Sequence, residues 1–134
     1  MLRHPQNRAI AIEANRERAA RIARNAARLG VPDLAIVEGT APEALAGLPR
    51  PDAVFIGGGA SRSGVLDTAW AALPRGGRLV VNAVTLETQG ELIRRYEAQG
   101  GELVTLQVAV AERLGGFHGF RPVLPVMRWA AVKP

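Results

Sequence analysis

The stretch Asp52–Gly59 reads DAVFIGGG, an apolar run of four residues that ends in three consecutive glycines. Such a run is typical of a buried parallel strand that turns sharply into a helix. The pattern over 63–73 predicts that helix. After a Gly-Gly turn, Arg78–Val84 (RLVVNAV) predicts the next strand. Strand, helix and strand in this order indicate an α/β protein with a parallel sheet.

The alternation continues toward the N-terminus. There the pattern predicts a strand over 8–12 (RAIAI), a helix from the N-cap Asn15 to Leu29, a strand over 34–37 and a short helix over 42–45. The residues expected on the buried face of the longer helix are Ala19, Ile22, Ala26 and Leu29. Gly30 and Pro32 end that helix.

Toward the C-terminus the expected elements are a helix over 86–99, a strand over 102–111, a glycine-rich loop over 115–121 and a last strand over 126–132. We expect Leu92, Ile93 and Tyr96 on the inner face of the helix. No helix separates the last two strands, so they should be antiparallel. The sequence thus predicts one domain, residues 1–134, with a mostly parallel sheet and a reversed last strand.

Composition excludes several classes of protein. The chain has no cysteine, which excludes a disulfide scaffold, a thiolate metal site and a cysteine nucleophile. No apolar run is long enough for a membrane span or a signal peptide. We therefore expect a cytoplasmic protein with no metal and no membrane partner.

The charge balance leaves two interpretations open. Lys and Arg number 17 against 12 Asp and Glu, and almost all of the positive charge is arginine. This suits nucleic acid or a small polyanion, but it also suits solvated helix faces. We expect solvated charges on the helix around Arg16 to Arg28 and keep the polyanion interpretation for the C-terminal loop. Only six aromatic residues are available to stack on bases, so we expect no nucleic-acid partner.

Ligands of an open parallel sheet bind beyond the carboxyl ends of its strands. Glu13 follows the first predicted strand, and a carboxylate there can accept hydrogen bonds from both hydroxyls of a ribose. It can equally be a solvated charge at the start of a helix. Gly57–Gly59 allows close approach to a ligand, although a tight turn alone would explain it.

Several segments together resemble the class I S-adenosylmethionine-dependent methyltransferases: IAIEAN (10–15), VEGTAP (37–42), DAVFIGGG (52–59) and LPRGGRLVVNAV (73–84). The segments at 52–70 and 113–134, above all GGFHGFRPVLPV (115–126), resemble the carbon-15 methylating, decarboxylating precorrin methyltransferases of cobalamin biosynthesis. The resemblance implies a Rossmann-like fold, S-adenosylmethionine as cofactor, a precorrin substrate and a homo-oligomer, specifically a tetramer.

The resemblance also implies roles for individual residues. The implied cofactor-binding residues are Glu13 for the ribose, Gly39, Thr40 and Ala41 around the adenine, and Gly57 and Gly58 beside the methionine part. The candidate substrate-binding residues are Gly59, Ser61, Arg62, Asn82, Arg113, His118 and Arg121. Arginine suits a substrate with many carboxylates. His118 is either a proton carrier or a structural residue in a turn. No catalytic residue is assigned.

One departure from the resembled family concerns the start of the domain. The family begins with a strand ending in GxGxG and a helix, and the residues before Arg8 (MLRHPQN) contain no such motif. We therefore expect a chain that lacks the first strand and helix and binds cofactor poorly in isolation. An inactive fragment, a methyltransferase acting on RNA and a nicotinamide-dependent oxidoreductase are the alternatives.

Overall fold

A computed structural model describes residue 4 and residues 6–134. They form two compact units, one ending at Leu48 and the other spanning Pro49–Pro134, and each unit is described by itself. Within these described residues no helix is both long enough and apolar enough to cross a membrane.

The first unit consists of two parallel strands and a connecting helix. Its elements are β1 (Ile10–Glu13), α1 (Arg16–Arg28), β2 (Ala35–Glu38) and a 3₁₀ turn (Glu43–Leu45). The strands pair in parallel from Ile10 with Ala35 to Glu13 with Glu38. A helical connection between parallel neighbours is the βαβ arrangement that the alternation predicted.

Helix α1 begins as the sequence predicts. The Asn15 side chain accepts a hydrogen bond from the Arg18 amide at 2.9 Å, which satisfies a free donor of the first turn. Ala19 and Ala26 are buried, and the small side chains bring the helix close to its strands. The prediction that Leu29 is buried is wrong: it is 56% exposed, because it caps the helix with non-helical backbone angles.

The second unit contains six strands and two helices. They are β3 (Ala53–Ile56), α2 (Val65–Ala72), β4 (Arg78–Ala83), α3 (Leu86–Gln99), β5 (Glu102–Leu106), β6 (Ala109–Leu114), β7 (Phe117–Pro122) and β8 (Val126–Val132). Four strands form a sheet in the order β3-β4-β8-β5. Strands β3 and β4 are parallel, and β8 is antiparallel to both of its neighbours. This confirms the predicted reversed last strand.

The core of this unit lies on one face of the four-stranded sheet. Its fully buried large side chains are Trp129, Leu73, Leu79, Leu92 and Val81. The Trp129 indole nitrogen donates to the Gly100 carbonyl oxygen at 2.9 Å, and its ring lies 6.0 Å from that of Trp70. Helix α3 contacts β4, β8 and β5 and covers this face.

Two helix predictions need correction. The helix expected over 63–73 begins only at Val65, because Gly64 has a φ of +81°, which no helix can include. In α3 the boundaries are confirmed and Leu92 is buried, but Ile93 and Tyr96 are each 41% exposed. Only the narrow stripe around Leu92 faces the sheet.

The prediction of one long strand over 102–111 and a loop over 115–121 is wrong. The first segment is split between β5 and β6, and the second contains most of β7. Strands β6 and β7 pair antiparallel as a two-stranded sheet of their own. Gly115 and Gly116 form the turn, and Gly115 has a φ of +61°, as a two-residue hairpin turn requires. Below, β6 and β7 together are called the hairpin.

Candidate cofactor and substrate site

Two carboxylates lie side by side where β1 and β2 end. Glu13 and Glu38 are register partners on the parallel strands. The Gly39 amide donates to the Glu13 carbonyl oxygen at 3.2 Å, which continues the pairing beyond Glu38. The first unit therefore brings two predicted parts of the cofactor site to one edge of its sheet. They are Glu13, predicted to bind the ribose, and the segment 39–41, predicted to flank the adenine.

Glu13 is held by two donors from the start of α1. Its Oε1 atom accepts from the Asn15 amide and from the Arg18 guanidinium, both at 2.8 Å. These hydrogen bonds, that of Arg18 first, lower the pKa of Glu13 from 4.5 to about 2. The carboxylate is therefore ionised at neutral pH and can only accept hydrogen bonds, as binding to ribose hydroxyls requires.

Glycine at position 39 has a packing reason. A Cβ atom there would lie 2.9 Å from the Cβ atom of Ala44, closer than two carbons can approach. Thr40 is exposed, and its carbonyl oxygen accepts from the Ala44 amide at 2.9 Å. Ala41 is half-buried. These three residues form a tight turn directly after β2.

In the second unit, the glycine turn after β3 is open to solvent. A Cβ atom at Gly58 or Gly59 would meet no atom within 4 Å, so the backbone there is accessible to a ligand. Gly57 differs, because a Cβ atom would lie 3.1 Å from the ring of Phe55. Ser61 and Arg62 follow on the surface. Asn82 is half-buried near the carboxyl end of β4.

The hairpin divides the candidate substrate-binding residues in and beside the predicted glycine-rich loop between its two faces. Arg113 and His118 are register partners, so they lie on the same face of the hairpin. Arg121 belongs to the opposite face, where it forms an ion pair with Glu112. Arg113 and Arg121 are therefore on different faces, because paired strands alternate their side chains between two faces.

A groove of about 480 Å³ in the second unit is not the predicted site. It is lined by residues at the amino ends of β4 and β5 and at the end of β8, namely Arg78, Leu79, Val80, Gly101, Glu102, Ala130, Ala131 and Val132. None of the predicted ligand-binding residues is among them. In the part of the chain that the structure describes, no cluster of three acidic or histidine side chains could hold a metal ion.

Sequence reasoning missed the part played by Arg18. The arginines of α1 are expected to be solvated charges, whereas Arg18 donates a hydrogen bond to Glu13, the residue predicted to bind the ribose. The available signal was the spacing: Glu13 ends a strand, Asn15 caps the next helix, and Arg18 lies in its first turn on the side of the cap. With this spacing, the long side chain of Arg18 can extend back to the end of β1.

The sequence profile of the precorrin methyltransferase domain matches residues 1–133. The chain belongs to that family. The resemblance inferred from the strand-end segments is thereby confirmed. A relative from Sinorhizobium sp., named precorrin-6Y C(5,15)-methyltransferase [decarboxylating], is 51% identical over 133 residues, which are 99% of this chain and 32% of the relative. The chain thus spans about a third of the length of these curated precorrin-6Y methyltransferase relatives.

Solved structures support the predicted fold. The C-terminal domain of precorrin-6Y C5,15-methyltransferase from Rhodobacter capsulatus matches with a TM-score of 0.87 and 42% identity, over 94% of this chain and 68% of that one. The precorrin-6Y C5,15-methyltransferase of Geobacter metallireducens matches with a TM-score of 0.80 and 32% identity, over 96% and 70% respectively. The chain therefore has the Rossmann-like fold of the class I methyltransferases.

Proposed function

We propose that this precorrin methyltransferase domain binds S-adenosylmethionine and methylates a bridging carbon of a precorrin, with loss of carbon dioxide from a ring acetate. Membership of the family over nearly the whole chain carries the proposal. The name of the Sinorhizobium relative includes both the methylation and the decarboxylation. A cytoplasmic location belongs to the same proposal and rests on the composition of the chain.

The donor set at the end of β1 fits a ribose. Glu13 is ionised, and its Oε2 atom accepts no hydrogen bond from the described residues, so one oxygen is available to a hydroxyl group. The exposed backbone at Gly58 and Gly59 fits a ligand that approaches closely. Glu13, Gly39, Thr40, Ala41, Gly57 and Gly58 are the proposed cofactor-binding residues.

The proposed chemistry needs no protein nucleophile. When bound, S-adenosylmethionine supplies a methyl group on a positively charged sulfur, which is already strongly electrophilic. The chain contributes orientation, because holding two reactants in line removes much of the entropic barrier. The substrate carries several carboxylates, and guanidinium groups bind these through paired hydrogen bonds.

Substrate-binding residues are proposed in two places of the second unit. Gly59, Ser61, Arg62 and Asn82 lie at the carboxyl ends of β3 and β4. Arg113 and His118 share one face of the hairpin, and they are better placed than Arg121, whose guanidinium is engaged by Glu112. We keep Arg121 as a candidate, since a substrate carboxylate can displace an exposed ion pair.

Calorimetric titration with S-adenosylhomocysteine tests the cofactor part of the proposal. A dissociation constant in the micromolar range, weakened at least tenfold in Glu13→Gln, supports it. Ala23→Gln, on the exposed surface of α1, serves as the control. Absence of binding at millimolar ligand would contradict the proposal and support the alternative of an inactive member of the family.

We further propose that the chain forms a homo-oligomer, in which the hairpin contacts other copies. Phe117 is 81% exposed and Phe120 is 78% exposed, and they lie on opposite faces of the hairpin. Val110 and Leu114 add exposed apolar surface beside Phe117. An isolated two-stranded hairpin is at best marginally stable in water, and exposed apolar surface of this kind marks a contact site.

Sedimentation equilibrium tests the oligomer. The wild-type chain should sediment as a multiple of its 14.2 kDa mass. Leu114→Gln with Phe117→Ser should shift it toward the monomer. Ile93→Gln, which alters a partly exposed apolar residue of α3, should leave the mass unchanged. A wild-type chain that stays monomeric at high micromolar concentration would contradict the proposal.

A further inference from the structure

Glu13 has two carboxylate oxygens with different surroundings. The Asn15 amide and the Arg18 guanidinium both bond to Oε1, and the Ala14 amide makes the smallest contribution to the lowered pKa of the carboxylate. Within the described residues Oε2 accepts no hydrogen bond. The Glu13 side chain is only 18% exposed, so its position is fixed by these neighbours and by the end of β1. The free oxygen is therefore presented in a defined direction.

A second carboxylate beside Glu13 has its own arginine. Glu38 is the register partner of Glu13 at the end of β2, and its Oε2 atom accepts from Arg16 at 3.2 Å. Two adjacent negative charges would repel each other without these cations. Among the described residues, Arg16 pairs with Glu38 and Arg18 pairs with Glu13, so each carboxylate has its own cation.

The two ion pairs differ in their surroundings. The Arg16–Glu38 pair is exposed on both sides, at 92% and 55% of the side chains, and exposed pairs contribute little to stability. The Glu13–Arg18 pair includes a mostly covered carboxylate and a backbone amide donor. Charge-assisted bonds of this kind fix geometry.

We propose that Arg18 is a positioning residue for the cofactor: by holding Oε1 of Glu13, it directs Oε2 toward a ribose hydroxyl. This inference rests on the proposed cofactor binding. It adds a residue that does not itself contact the nucleoside. Substitution of Arg18 should therefore weaken recognition of the ribose hydroxyls and leave the rest of the cofactor contacts unchanged.

A competing role can be separated from this one. Arg18 could instead occupy the carboxylate until the cofactor displaces it. Displacement predicts that removing Arg18 tightens binding, whereas positioning predicts that it weakens binding. The bonding of Arg18 to the same oxygen as the Asn15 amide favours positioning, because the other oxygen is left accessible.

The test measures ribose discrimination by calorimetry on the full chain. Dissociation constants are determined for S-adenosylhomocysteine and for its 2′-deoxy analogue. Wild type should prefer the ribose form by about tenfold, as expected for one hydrogen bond to a charged group. Arg18→Gln should lose most of this preference, with little change in affinity for the deoxy analogue. Arg18→Lys, which keeps the charge, should retain part of it.

Arg21→Gln is the matched control. Arg21 is exposed on the same helix and, among the described residues, takes part in no ion pair. Equal discrimination by wild type and Arg18→Gln, or tighter binding by Arg18→Gln, would overturn the positioning role and leave cofactor binding intact. If wild type binds neither nucleoside, the proposed cofactor binding fails, and the role of Arg18 fails with it.

Discussion

Trp129 and Phe117 are both aromatic residues on antiparallel strands of the second unit, and their surroundings are opposite. Trp129 lies in the four-stranded sheet, is completely buried, and has its indole nitrogen hydrogen-bonded. Phe117 lies in the hairpin and is 81% exposed. Helix α3 covers the apolar side chains on one face of the sheet. The hairpin, in contrast, leaves apolar side chains exposed on both of its faces.

This difference separates stability from association. Burial of apolar surface in the sheet stabilises the single chain. The apolar surface of the hairpin can contribute only when something covers it. Mutations in the two regions should therefore be distinguishable by whether their effects depend on protein concentration.

The largest effect is expected at the centre of the sheet. Trp129→Ala should lower the free energy of unfolding by about 3–5 kcal/mol, through lost burial and the cavity left behind. Urea denaturation measures it. Phe117→Ala is the comparison: its cost should be near zero in dilute protein and should rise with concentration. A concentration-independent loss of the same size for both variants would contradict the contrast.

The next largest difference in stability is expected when one glycine in each region is replaced by alanine. Gly101 precedes β5 with a φ of +98°, and a Cβ atom there would overlap the carbonyl oxygen of Ala130. Gly101→Ala should therefore cost about 2–4 kcal/mol in chemical denaturation. Gly116, in the turn of the hairpin, has free space around it. Gly116→Ala should stay within about 0.5 kcal/mol of wild type.

Ion pairs should show the smallest difference. Arg95 is mostly covered and contacts Asp67 at 2.6 Å and Glu91 at 2.8 Å, linking α3 to α2. Arg95→Gln should cost about 1 kcal/mol at neutral pH. Arg121→Gln, which removes the exposed pair with Glu112, should cost less than about 0.5 kcal/mol. Thermal or urea unfolding of both variants checks the order.

The cost of Arg95→Gln should also depend on pH. Its bond to Glu91, together with that of Arg94, lowers the pKa of Glu91 below the ordinary 4.5. A lowered carboxylate pKa stabilises the fold above pH 4.5, and this contribution is lost as the pH falls below that value. The difference between wild type and Arg95→Gln should therefore shrink below pH 4.5, and a constant difference would show that Glu91 does not carry it.

The sequence predicted the α/β alternation because its signals are local. Asn15 caps α1 as expected, and the bounds of α3 and β8 are those predicted. The segment 102–121 failed because three glycines near Phe117 resembled a loop. Gly115-Gly116 between alternating side chains is equally a hairpin signal, and only the pairing of β6 with β7 decides between them.

The candidate site was predictable to a similar extent. The position of Glu13 followed from the rule for parallel sheets, and the structure places it at that strand end. Its partner Arg18 was not predicted, because an arginine on a helix is usually solvated. Which groups its side chain can contact depends on the direction of the helix axis relative to the strands. The division of Arg113 and Arg121 between two faces also depended on strand register, which composition does not encode.

The position of β8 in its sheet bears on how the protein is made. It is the last strand of its unit to be synthesised, yet it lies between β4 and β5 and supplies Trp129 to the core. Until the ribosome has released Val126–Val132, β4 and β5 have no common partner strand and the core lacks the buried Trp129 side chain. The second unit can therefore complete its fold only late in synthesis. A nascent chain that is stalled before β8 should bind readily to chaperones that hold unfolded chains.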